Sequence, residues 1–351
     1  MGFVYVLSIG DRAVSVIDTK THALIAKIQV YKVGDVNEIV VTPDGKFVYI
    51  VSNIELNPGN VGVIDTKTNT LVANIRLPVG DGLTDVFQSP LAITPDGKFI
   101  YVLVPSVFTS QASIIDAKTH RITSTVMLEA GSASVPVISP DNQFCYITFQ
   151  SNGGLLASID MKTNKLTSSI TVGGAGAMAI TPDGRYLYVA IVVGEVKVVD
   201  TKTNRIMTTL EINGAQRLVI TPNGKYVYVT SFTNGTLTVI EVATNTIIST
   251  LAIGTDENSR LTITPDSKFV YVNASMNGHV IVIATKSNHV VATIPTPTNP
   301  IDLKVTPDGQ FVYVISGDVD FGSVYAIDTK TNYIVGRTSV DNTPRAIAIT
   351  P

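Results

Sequence analysis

An aromatic, aliphatic, Tyr, aliphatic cluster recurs eight times along the 351 residues, centred on Tyr5, Tyr49, Tyr101, Tyr146, Tyr188, Tyr228, Tyr271 and Tyr313. Successive spacings are 44, 52, 45, 42, 40, 43 and 42 residues. A period of 40 to 50 residues belongs to solenoids and propellers, where one small unit cannot bury its faces alone and must stack on its neighbours. Ahead of seven of the clusters stands a Thr/Ser-Pro-Asp/Asn turn, such as Thr42-Pro43-Asp44-Gly45 and Thr181-Pro182-Asp183-Gly184. Pro presets φ, Asp accepts local N–H groups, and Gly permits a positive φ.

Each period reads as four short strands of β-branched and alternating residues, with no helical pattern. Arg217–Ile220, Tyr226–Val229, Leu237–Ile240 and Ile247–Leu251 are one such set. The third and fourth strands are joined by Asp-Thr-Lys-Thr-Asn or a near variant, beginning at Asp18, Asp65, Asp116, Asp160, Asp200 and Asp328; Glu241 and Ala284 replace that Asp elsewhere, so the carboxylate is a turn device. Repeated four-stranded antiparallel units predict an all-β, eight-bladed β-propeller forming one domain over residues 1–351. Residues 345–350 are expected to supply the inner strand of a composite closing blade, and residues 3–30 its other three. Such closure covers edges that an open array exposes.

The blocks Thr-Pro-Asp-Gly-Lys-Phe-Val-Tyr, Val-Ile-Asp-Thr-Lys-Thr-Asn and Val-Ala-Asn-Ile resemble the YVTN family of β-propeller repeats, found in archaeal surface-layer proteins and bacterial exported proteins. The resemblance covers essentially the whole chain. It implies a propeller and, through its relatives, a secreted or cell-surface protein whose leader has been removed, a cytoplasmic location being the alternative. The repeat residues of that family are structural, so no catalytic position is carried over. Lactonases of the phosphogluconolactonase type and a streptogramin-cleaving lyase are relatives by architecture with seven blades, whereas eight are counted here.

Lys and Arg number 25 against 28 Asp and Glu, a net charge of −3, which argues against a nucleic-acid partner held by phosphate neutralisation. No apolar run approaches the length of a membrane-spanning helix, and a monomer is expected. The single Cys145, between Phe144 and Tyr146 in a strand, excludes an intrachain disulfide and reads as a packed core thiol.

In a blade running from centre to rim, the two stereotyped turns share one face of the ring and the variable connections share the other, which is the place for a site. The residue four before each Thr/Ser-Pro turn is expected at the mouth of the central channel. In order these are Glu38, Pro90, Val135, Ala177, Arg217, Arg260, Asp302 and Ala346, with Arg345 beside the last. Three guanidiniums on one arc suit a carboxylate or phosphate, while Pro90, Val135 and Ala177 form an apolar arc. The alternative is that Arg217–Asp302 and Arg345–Glu38 type pairs satisfy one another around a water-filled channel. The long connection 79–89 is a candidate lid or a surface excursion. Ile54, Phe87, Phe108, Phe232 and Phe321, in or beside variable connections, offer a hydrophobic contact surface for a protein partner.

Two motif lookalikes carry no function. Gly174–Ala179 leads into another strand, so the helix N-terminus that would cradle a dinucleotide is missing. Asp318-Val319-Asp320 lacks the further ligands of a calcium loop. His22, His120 and His289 fall where Asn stands in other turns and read as solvated; only His279 is on the variable face. No metal or cofactor is therefore expected. The function expected is a non-catalytic binding or interaction module, with Arg217, Arg260, Asp302, Arg345 and Glu38 taking a small anionic molecule or a partner protein. The alternative is a small-molecule lyase, hydrolase or isomerase using Glu38, Asp302 or His279 as acid or base.

Overall fold

The computed structural model describes the chain except residues 1, 31–34, 55–56, 79–89, 105, 107–108, 130, 132, 151–152, 175, 192–193, 275–277, 298 and 318–319, and leaves aside the side chains at 35–37, 52–54 and 57–58. The described residues form eight four-stranded antiparallel sheets and no helix. The chain is an eight-bladed β-propeller.

In seven sheets the strands run in chain order. The eighth has the order β3 (Leu24–Gln29), β2 (Ala13–Asp18), β1 (Phe3–Ser8), β32 (Pro344–Ile349), so the last strand lies innermost beside the first. Thr350 Oγ1 accepts a 2.7 Å bond from the Phe3 N–H, and its own N–H donates to the Phe3 carbonyl at 2.9 Å. The inner strands of the other blades are β4 (Asp35–Val41), β8 (Leu91–Ile93), β12 (Val137–Ile138), β16 (Met178–Ile180), β20 (Ala215–Ile220), β24 (Leu261–Ile263) and β28 (Pro300–Val305). With β32 they contact one another in cyclic order around the central channel.

The apolar core lies between blades. Tyr5, Leu7 and Val16 of the closing blade pack with Ile39, Val48 and Ile50 of the next, and the same mixing recurs round the ring. Each sheet therefore buries its faces only because both neighbours are present.

The repeat residues have identifiable duties. In the Thr-Pro-Asp-Gly turns, the Thr42 hydroxyl donates to Asp44 at 2.7 Å and accepts the Phe47 N–H at 3.0 Å. In the second turn, Asp328 Oδ1 accepts the Lys330 and Thr331 N–H groups at 2.9 and 2.8 Å. That turn ends on a residue with positive φ, 53° at Asn69 and 57° at His22, which Asn tolerates well. Its side chain then receives the repeat tyrosine of the preceding blade: Tyr5 donates to Asn69 at 2.9 Å, Tyr271 to Asn332 at 2.8 Å, and Tyr228 to Asn288 at 2.5 Å.

Two histidines take the same part, which corrects their reading as solvated turn residues. Tyr49 Oη lies 2.8 Å from His120 Nδ1, and Tyr313 Oη 2.7 Å from His22 Nδ1. Each imidazole also meets a phenylalanine edge-to-face, at 4.6 Å for Phe47 and 4.8 Å for Phe311. Both rings are half-buried, and His289 alone of the three is exposed. Cys145 is buried, and burial pushes its thiol well above the usual range.

Candidate functional site

The inner strands bring Glu38, Arg217, Arg260, Asp302 and Arg345 to the wall of one cavity in the central channel, with a volume of about 140 Å³. Val135, Ile39, Ala346 and Ile347 add apolar surface, and Lys304 adds a fourth cation. Pro90 is buried, and neither it nor Ala177 lines this cavity, so the apolar arc expected there narrows to Val135 with the side chains around Ala346. His279 opens β26 (His279–Ala284), paired with Ala274 and Pro295, and is not among the residues lining this cavity. The connection 79–89, Phe87, Phe108 and Asp318-Val319 lie outside the described residues, as does the Ile54 side chain.

Bulges in the inner strands set these side chains. The pairing of β4 with β5 (Phe47–Ile54) slips between Val36 and Glu38, that of β20 with β21 (Tyr226–Ser231) between Ala215 and Arg217, and that of β28 with β29 (Phe311–Gly317) between Pro300 and Asp302. The β1 pairing with β32 skips Arg345 itself. One extra residue bends an inner strand and re-aims the side chains next to it. Second-strand side chains hold the distortion: Thr230 Oγ1 accepts the Arg217 N–H at 3.2 Å, and fully buried Asn273 accepts the Arg260 N–H while donating to the Pro300 carbonyl at 2.9 Å. Lys304, two residues beyond Asp302, shares its face through the period-two alternation of a strand. The position four before the turn is too narrow a rule to find it, but the alternation contained the signal.

Four cations thus face two carboxylates. Among the described residues, no ion pair within 4.0 Å joins any of them. Arg217 Nε is buried without a hydrogen-bond partner, and Arg260 Nη1 reaches only the Asn258 carbonyl, at 3.5 Å. The mutual pairing that would make the arc self-sufficient is not formed.

Electrostatics follow from this crowding. Burial pushes the Glu38 carboxyl up to about 7, against the pull of the Leu91 N–H (3.2 Å from Oε2), Lys304 and Arg217, while Asp302 adds to the rise. What remains of its exposure faces the channel. Burial and the Arg260 charge push Arg217 down to about 10, with Arg345 adding to the fall and Asp302 and Glu38 resisting it. Arg217 is still a cation at neutral pH. Arg260 is lowered by burial and by Arg345, with Asp302, Asp256 and Glu38 opposing. A cluster whose cations are desolvated and mutually repelled is stabilised by an added anion.

No group of three or more His, Cys, Asp or Glu side chains among the described residues comes together to hold a metal ion. Among the described residues no helix is long and apolar enough to cross a membrane. Gly176 accounts for the glycine run at 174–179, because a Cβ there would fall 1.5 Å from the Ala190 carbonyl oxygen. Close backbone approach, not a phosphate, requires glycine at that point.

Comparison with known proteins gives related folds. Residues 201–351 match the family described as "Lactonase, 7-bladed beta-propeller". Over 121 residues the chain is 30% identical to the seven-bladed β-propeller protein Rv1057 of Mycobacterium tuberculosis, a stretch covering 34% of this chain and 29% of that protein. The match therefore spans less than a third of that relative's length. What these similarities share is the propeller. Among solved structures, the dihydro-heme d1 dehydrogenase NirN superposes with a TM-score of 0.78 at 17% identity, covering 98% of this chain and 74% of the other. Kuenenia stuttgartiensis hydrazine synthase superposes at 0.62 and 21% identity, covering 87% and 94%. At these identities the likeness is of fold alone. The family match and the curated relative are described as seven-bladed, whereas this ring has eight blades.

Proposed function

We propose that this protein is a binding module that takes a small organic anion at the mouth of its central channel, on an arc made by Arg217, Arg260 and Arg345 with Lys304 behind it. The observation that carries this reading is the unpaired cation cluster: four cations, two carboxylates, no ion pair among them, and a buried Arg217 Nε without a partner. A buried donor left unmade costs roughly 1–3 kcal/mol, more where it is charged, and a guanidinium fork satisfies that need best with a planar or tetrahedral oxyanion. Asp302 keeps its oxygen on the Leu303 N–H at 2.8 Å, which leaves it a wall of the site more than a counter-ion to the arginines.

A second reading rests on Glu38. A carboxyl pushed up to about 7 in a channel suits acid–base work on a bound molecule, and the similarity of residues 201–351 to lactonases is compatible with hydrolysis. Asp302 would then share the acid–base role, since it lines the same cavity as Glu38, whereas His279 does not. The YVTN resemblance adds an exported, surface-layer setting and a partner protein on the variable face, where Phe232 and Phe321 are exposed.

The test is a thermal-shift screen of the whole chain against carboxylated and phosphorylated metabolites. A ligand at a hundred times its Kd stabilises the native state by about 2.7 kcal/mol. A hit that disappears in Arg217→Ala and in Arg260→Ala is the expected result; hits indifferent to both substitutions would move the site away from the arc.

A further inference from the structure

A second cavity adjoins the channel mouth on the variable face, with a volume of about 710 Å³. Arg260 and Arg345 line both cavities, so the two share one wall. The larger cleft is otherwise built by connections and inner-strand ends of four successive blades. Ile9, Phe232, Pro300, Ile301 and Pro344 supply an apolar wall, and Asp256, Glu257 and Asn258 add a polar one, with buried Asp256 also acting on Arg260. Phe232 leaves 38% of its surface exposed. Most other large apolar side chains so exposed, Ile206, Ile247, Val290 and Val335 among them, sit on outermost strands at the rim of the ring, far from any channel lining.

We infer that channel mouth and cleft form one bipartite site for an organic carboxylate carrying an apolar ring system, its carboxylate held by Arg260 and Arg345 and its rings lying against Phe232, Pro300 and Pro344. This rests on the anion-site reading above and names the ligand class for it. Charge complementarity fixes the orientation. The two guanidiniums stand where the cavities join, and both present planar forks of donors. The inner cavity, at about 140 Å³, has room for the anionic head but not for a whole organic ligand, whereas the cleft at about 710 Å³ lies within the usual range for one. Proline and phenylalanine offer rigid surfaces to a ring and lose little freedom on contact. The carboxylates of Asp256 and Glu257, which also line the cleft, select against a second anionic group on the ligand and favour a neutral or hydrogen-bond-donating end.

The experiment uses the full chain and three probes: acetate, 1-naphthylacetate and its uncharged amide, titrated by calorimetry and by thermal shift. Naphthylacetate is expected to bind at least about tenfold more tightly than acetate, the gain set by the ring area taken out of water, and at least about tenfold more tightly than the amide. Phe232→Ala is expected to bring naphthylacetate and acetate to within about threefold of each other. Equal affinity for acid and amide, or equal affinity for naphthylacetate and acetate, overturns the bipartite site. If acetate then still requires Arg217, the anion reading stands by itself; if no probe binds, both fall. The wild-type comparison needs no variant to fold, and Phe232 is exposed enough for its replacement to leave the core intact.

Discussion

Replacing Glu38 by Gln should make the protein more stable at alkaline pH and leave it unchanged in acid. Burial raises this carboxyl from 4.5 to about 7, so the folded state favours the protonated form. Below the unfolded-state value near 4.5 both states are protonated and there is no penalty. As pH rises the unfolded chain loses its proton first, and stability falls until the folded-state group also ionises, near 7. At ~1.36 kcal/mol per pH unit, the gap of about 2.5 units costs on the order of 3 kcal/mol above that pH. With an unfolding entropy of roughly 2.1 cal/mol/K per residue over 351 residues, the cost corresponds to about 4 °C in Tm. Gln keeps an acceptor for the Leu91 N–H, now 3.2 Å from Glu38 Oε2, and carries no charge. Melting curves of the two proteins from pH 4 to 9 should therefore coincide in acid and separate by about 4 °C above pH 8, the variant higher. A separation that is constant with pH, or a variant less stable at pH 8, would refute the argument that burial dominates at Glu38.

Arg217→Met should raise Tm in the absence of ligand, because a desolvated cation repelled by Arg260 is replaced by an apolar chain of similar length; in the presence of a bound anion the order of the two melting temperatures should reverse. Tyr228→Phe should lower stability by about 1–3 kcal/mol in denaturant titrations, since Asn288, 9% exposed, loses the donor that satisfies it. His22→Asn should remove part of the acid sensitivity: burial lowers the His22 value below 6.5, so stability is whole above that pH and declines as the unfolded chain takes up the proton below it. Circular dichroism melts of wild type and variant at pH 5 and 8 would show it, the gap between the two pH values narrowing with Asn.

The architecture was legible because the repeat writes it eight times. The tyrosine clusters, the two turn types and the order of strands locate each blade, and the composite closure follows from the strand count; β32 beside β1 has that form. The positions four before each Thr/Ser-Pro turn led to Glu38, Arg217, Arg260 and Asp302, which meet at one cavity. Pro90 and Ala177 occupy the same repeat position without lining that cavity. His22 and His120 were misread because a turn residue with positive φ looks solvated in sequence, whereas the tyrosine that meets it belongs to the preceding blade, 291 residues away in one case.

Sequence by itself thus determined what is local and repeated: strands, turns, the number of blades and which residue types stand near the axis. Only the tertiary structure decided which charges are paired and which are not. An ion pair depends on distances of a few ångströms between strands of different blades, and those distances depend on the bulges and on how eight wedges close into a ring. The same holds for the cleft beside Phe232, whose walls come from connections and strand ends of different blades and meet only when the blades are arranged in a circle.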